Sequence, residues 1–74
     1  MTARMSYTFR FRGSNERTRS PYHTPISAAE HAMLLHTGRW PAGVRELAGN
    51  PGVYCATGRG AKSFPYVIVE AVQS

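Results

Sequence analysis

The chain contains no aspartate, and its only carboxylates are Glu16, Glu30, Glu46 and Glu70, spread over 74 residues. Two-carboxylate hydrolysis, carboxylate-held magnesium or calcium, and an Asp-oriented nucleophilic triad all lack their usual material. Cysteine is nearly missing too. Cys55 stands alone, so no intramolecular disulfide staples the fold. Metal ligation is equally short of donors. His31 and His36 are five apart on a predicted helix and diverge by roughly 140°, whereas helical zinc pairs sit three or four apart. No metal and no cofactor are expected. The apolar run Tyr66-Val67-Ile68-Val69 is far too short to span a membrane. Arg4, Arg10 and Arg12 interrupt any signal-like stretch at the N-terminus. These absences predict no membrane partner and a reducing, cytoplasmic setting.

What is present is positive charge. The formal net charge is +5, and eight of the nine basic residues are Arg, with Lys62 the exception. Such a balance attracts phosphate backbones, acidic membrane faces or acidic proteins. Five of the nine lie in the first nineteen positions: Arg4, Arg10, Arg12, Arg17 and Arg19. In Tyr7-Thr8-Phe9-Arg10-Phe11-Arg12 aromatics alternate with polar or cationic residues. That period-two pattern predicts a strand with an apolar face and a cationic face.

A chain this short forms one domain, 1–74, and buries only about 60% of its unfolded surface. Residues 13–21 are polar and turn-rich and read as a mobile basic loop. Tyr22–Ile26 reads as a short edge strand, limited by Pro25. Ser27-Ala28-Ala29-Glu30 has the form of a capping box. It predicts a helix over about 28–37, ended by Gly38 in a left-handed turn. Ala28, Ala29, Ala32, Met33 and Leu35 would face the core, with His36 in that arc and Leu34 on the opposite side. Val44–Leu47 fits either a short strand or one helical turn. Asn50-Pro51-Gly52 fits a type II turn. Val53–Thr57 reads as a strand, Gly58–Ser63 as a basic hairpin tip, and Phe64–Val72 as a central strand, apolar on both faces. The expected architecture is α+β: an antiparallel sheet of about four strands with one packed helix.

No catalytic motif emerges. Gly58–Ser63 lacks the spacing of a phosphate loop and precedes a strand rather than a helix. Lys62, Phe64, Tyr66 and Val67 match the RNA-stacking strand of RRM domains, but Ser63, Pro65 and Val69 do not, and no second helix is present. Glu30–Leu47 would serve as a helix-turn-helix only if Val44–Leu47 were helical. His23 or His36 with a tyrosine would be the material of a small ribonuclease. Cys55, in an apolar strand, reads as a buried, inert thiol. Trp40 either closes the core or, if exposed, is a contact hot spot.

The arginine-alternating strand Tyr7–Arg12, the capped helix from Ser27–Glu30 and the hairpin Val53–Val72 resemble, in architecture and size, the small phage-encoded anti-CRISPR inhibitors. That family shares no motif, so the resemblance carries no residue roles. It implies binding without catalysis, a CRISPR effector subunit as target, and the host cytoplasm if the chain is phage-encoded. The expected function is therefore a non-enzymatic binding protein that docks on a nucleic-acid-handling complex and blocks it. A direct DNA- or RNA-binding regulator is the alternative. Arg10, Arg12, Arg17, Arg19, Trp40, Arg59 and Lys62 are the expected contacts. A core this small also predicts a homodimer, with Leu34 or Trp40 near the contact.

Overall fold

The structure, a computed structural model, describes residues 5–72. Arg4 lies outside them. One helix packs on one face of a five-stranded antiparallel sheet of strand order β2-β1-β5-β4-β3. The α+β architecture is as expected, with one strand more than anticipated. The strands are β1 (Ser6–Phe11), β2 (Thr18–Arg19), β3 (Gly43–Glu46), β4 (Val53–Thr57) and β5 (Val67–Val72), and the helix is α1 (Pro25–Thr37). A single turn of 3-10 helix at Ala61–Ser63 leads into β5.

β1 runs antiparallel to β5 in a register that pairs Phe9 with Val69 and Phe11 with Val67. Alternation then puts Tyr7, Phe9, Phe11, Val67 and Val69 on the face that α1 covers. Phe9, Val67 and Val69 are buried, as are Ala28, Ala29, Ala32 and Met33 of the helix. The three alanines present almost no side-chain bulk, which lets α1 lie close to the sheet. Phe9, Tyr54 and Phe64 fill the remaining space. Complete burial of Met33 and Val67 contributes about 1.5–3 kcal/mol each. Burial also holds the Tyr54 hydroxyl above the usual tyrosine range, with the nearby Glu46 and Tyr7 adding to the effect.

Several local expectations need correction. The helix begins at Pro25, not at residue 28, and Tyr22–Ile26 forms no strand. Thr24 is the N-cap, and its hydroxyl accepts from the Ser27 amide at 3.3 Å. Pro25 explains the shift. Its fixed φ suits the first helical position, where an amide hydrogen would be unpaired anyway. Ser27 is therefore the third helical residue, and the Ser27–Glu30 capping box does not form. Thr24→Ala should cost about 1 kcal/mol; urea unfolding followed by circular dichroism measures it.

The helix ends where expected. Gly38 is left-handed at φ 82, and its amide donates to the Leu34 carbonyl at 2.7 Å. The core-facing stripe is displaced, however. Leu35 is 59% exposed, and Leu34 is half-buried. At 100° per residue, Leu35 lies about 90° from the centre of the arc formed by Ala28, Ala29, Ala32 and Met33. His36 is exposed.

The 13–21 segment contains β2, which the composition did not suggest. Thr8 pairs with Arg19, Phe9 with Thr18, and the Ser20 amide donates to the Tyr7 carbonyl at 2.9 Å. Gly43–Glu46 is a strand, so the helix-turn-helix has no recognition helix. Phe64–Tyr66 precede β5 rather than belonging to it. Asn50–Val53 is the type II turn the sequence indicated. Gly52 has φ 84, and the Val53 amide donates to the Asn50 carbonyl at 3.1 Å. β5 lies at the centre of the sheet, as its apolar character implied. Cys55 is buried and unpaired in β4. No helix among the described residues is long and apolar enough to cross a membrane.

Candidate nucleic-acid interface on the open sheet face

The helix covers one face of the sheet and leaves the other without a covering layer, apart from the 3-10 turn beside Cys55 of β4. Register decides which side chains reach the open face. On β1 they are Thr8, Arg10 and Arg12, alternate to the buried Phe9. Arg19 lies opposite Thr8 on β2. Ile68 and Glu70 lie opposite Arg10 and Thr8 on β5. Val53 pairs with Ile68, and Arg45 with Cys55, so Val53, Cys55 and Arg45 continue the same face across β4 and β3. Leu47 follows, with its amide bonded to the Val53 carbonyl at 2.7 Å.

Arg17 joins this face through its Nε, which donates to Glu70 Oε1 at 2.9 Å. Lys62 joins from the 3-10 turn, where it lines a depression with Arg45. The face thus gathers Arg10, Arg12, Arg17, Arg19, Arg45 and Lys62 around one carboxylate, Glu70. That carboxylate is committed internally. Besides Arg17, it has Arg10 Nε at 3.7 Å. Arg12, Arg19, Arg45 and Lys62 have no carboxylate partner among the described residues.

The hydrogen bond from Arg17, with the charges of Arg17 and Arg10, holds the Glu70 carboxyl below its usual range. A depressed native value means the pairing stabilises the fold above the unfolded-state value and is lost as pH falls through the native one. Glu70→Gln should flatten that acid-side dependence. It should also tighten an anionic ligand by roughly twofold to fivefold at low salt, because it removes a negative charge from the face. Binding titrations of both proteins at neutral pH check this.

The middle of the face is shaped by Tyr66, which is 37% exposed. The Arg12 guanidinium lies over its ring, 5.4 Å from the centroid, and the Arg12 amide donates to the Tyr66 carbonyl at 3.3 Å. Tyr66 and Leu47 line two adjoining shallow depressions. One, of about 210 Å³, is bounded by Arg12, Asn50, Val53 and Ile68. The other, of about 230 Å³, is bounded by Arg45, Cys55, Ala56, Ala61 and Lys62. Both fall below the ~300–1,000 Å³ of an enclosed small-molecule site. The geometry suits an extended ligand laid across a surface.

Of the seven contacts expected from sequence, Arg10, Arg12, Arg17, Arg19 and Lys62 converge on this face. Trp40 and Arg59 do not. Trp40 is 52% exposed in the loop after α1, so it does not close the core. The glycines flanking Arg59 approach that loop: a β-carbon at Gly58 would meet Ala42, and one at Gly60 would meet the Arg39 guanidinium. Arg39 itself covers the Phe64 ring at 5.1 Å and donates to the Ser63 hydroxyl. Trp40, Arg39 and Arg59 line neither depression.

Arg45 and Tyr66 are the residues sequence reasoning missed. Arg45 becomes legible once Val44–Leu47 is read as a strand, because it alternates with Val44. Tyr66 sits with Phe64 in the apolar segment predicted as the central strand. Only Phe64 is in the core. The histidines lie elsewhere. His36 packs against Phe11, His31 against Phe9 and Tyr22, and His23 Nδ1 is 2.9 Å from the Met5 carbonyl oxygen. None lines either depression.

Fold and site together define a small α+β domain with an uncovered cationic sheet face. No protein-family model, curated protein or solved structure matches the chain.

Proposed function

We propose that the chain is a non-enzymatic binding protein that docks through this open face on the nucleic acid of a nucleic-acid-handling complex and blocks the complex by occupancy. One observation carries the reading. Among the described residues, six cationic side chains share the uncovered face with a single, internally paired carboxylate. Such a surface favours a polyanion and gains affinity from counterion release. An inhibitor of the anti-CRISPR type, acting on a CRISPR effector in a host cytoplasm, is the form of this proposal that the architecture and size suggest. Tagged protein should retain a nucleoprotein from lysate and release it as salt rises. Retention of neither nucleic acid nor a nucleoprotein subunit would sink the reading.

A homodimer belongs to the same proposal. Its support is the exposed pair Leu35 and Trp40 near the end of α1; half-buried Leu34 is the poorer candidate. Light scattering decides it. A mass near 8.2 kDa rejects the dimer, and a doubled mass that collapses on Leu35→Glu supports it.

A further inference from the structure

We infer that the ligand is a single strand, and that Tyr66 receives one of its unpaired bases. The inference rests on the proposed docking of the open face on nucleic acid and names the form that nucleic acid takes.

Charge alone would accept any polyanion, duplex included. The open face offers more than charge. Its centre holds an exposed aromatic ring on an apolar bed of Leu47, Val53 and Ile68, with cations at both margins. Arg12 lies on one side of this bed, and Arg45 with Lys62 on the other. Successive phosphates of a strand would meet these cations while the base between them lies on the ring. Aromatic platforms within basic grooves are how proteins hold single strands without reading sequence. A duplex keeps its base faces stacked inside and shows a sheet only phosphates and groove edges. Against a duplex the Tyr66 ring would have no partner surface.

The ring face already attracts a cation within the molecule, with the Arg12 guanidinium 5.4 Å from its centroid. The position is also held from both sides. Val67, the next residue, is fully buried and paired with Phe11, and the Tyr66 carbonyl accepts from Arg12. The shallow depressions leave the ring accessible without closing over a ligand, which suits a strand threading across the face.

Fluorescence anisotropy with labelled oligonucleotides tests this. The probes are oligothymidylate and oligouridylate of about twelve nucleotides, an abasic strand of equal length, and a matching duplex. Both base-bearing strands should bind more tightly than the abasic strand and the duplex, and comparing them shows whether DNA or RNA is preferred. Tyr66→Ala should weaken binding of the base-bearing strands by about tenfold and leave the abasic strand unchanged. Tyr66→Phe should retain binding, which guards against a folding defect in the alanine variant. With phosphates held by Arg12, Arg45 and Lys62, the logarithm of affinity should fall with the logarithm of salt at a slope of about −2.

If the abasic strand and the duplex bind as tightly as oligothymidylate, and Tyr66→Ala changes nothing, the single-strand inference is overturned while docking on nucleic acid stands. If no probe binds at low salt, both fall.

Discussion

Phe9→Ala is expected to remove about 3–5 kcal/mol of folding stability. Phe9 is only 2% exposed, and it holds together three parts of the fold. In the sheet it pairs with Val69 of β5 and Thr18 of β2. Its ring meets Phe11 edge-on at 6.1 Å and His31 of the helix at 5.9 Å. Truncating a buried phenylalanine costs about 3–5 kcal/mol, through lost transfer energy and the cavity left behind. A domain of this length has about 4–11 kcal/mol in total at ordinary stability per residue. With three of the four buried helix residues being alanine, few long side chains could shift into the gap. Phe9→Leu fills much of the volume and should cost far less. Urea titration of the three proteins by circular dichroism gives the order. A Phe9→Ala midpoint within error of wild type would mean that the core is not where the burial places it.

The alternation around Phe9 was legible in sequence because Tyr7, Phe9 and Phe11 repeat at the sheet period, and nothing in the fold competes with that signal. Gly38 and Asn50–Gly52 were legible for a similar reason: a left-handed backbone position has few chemical solutions. The helix start was misread because two caps stand three residues apart. Thr24 followed by Pro25 outcompetes Ser27, and a search for the capping box alone does not weigh proline. β2 was invisible because two residues carry no period; only the neighbouring β1 edge makes Thr18–Arg19 a strand. The candidate face follows the same logic. Its β1 arginines announce themselves by alternation. Arg45 and Tyr66 join them only through pairing between β3, β4 and β5, a relation between distant segments that no local pattern contains.

The second large effect separates the open face from the Gly58–Gly60 tip. Arg12→Glu combined with Arg45→Glu should reduce affinity for a single strand by about a hundredfold at low salt, since two phosphate contacts are lost and two repulsive charges appear. Both side chains are exposed and lack a carboxylate partner among the described residues. Unfolding free energy should therefore stay within about 0.5 kcal/mol of wild type. Arg59→Glu makes the informative control. It reverses one charge at the Gly58–Gly60 tip, whose glycines approach the loop after α1, at a residue that lines neither depression. The single open-face changes Arg12→Glu and Arg45→Glu should each weaken binding well beyond the effect of Arg59→Glu. The remaining Arg59→Glu effect should shrink as salt rises, as for any charge that makes no direct contact with the ligand. The reverse order, with Arg59→Glu dominant and the face variants nearly silent, would move the contact to the Gly58–Gly60 tip. The uncovered sheet would then be a charged but idle surface.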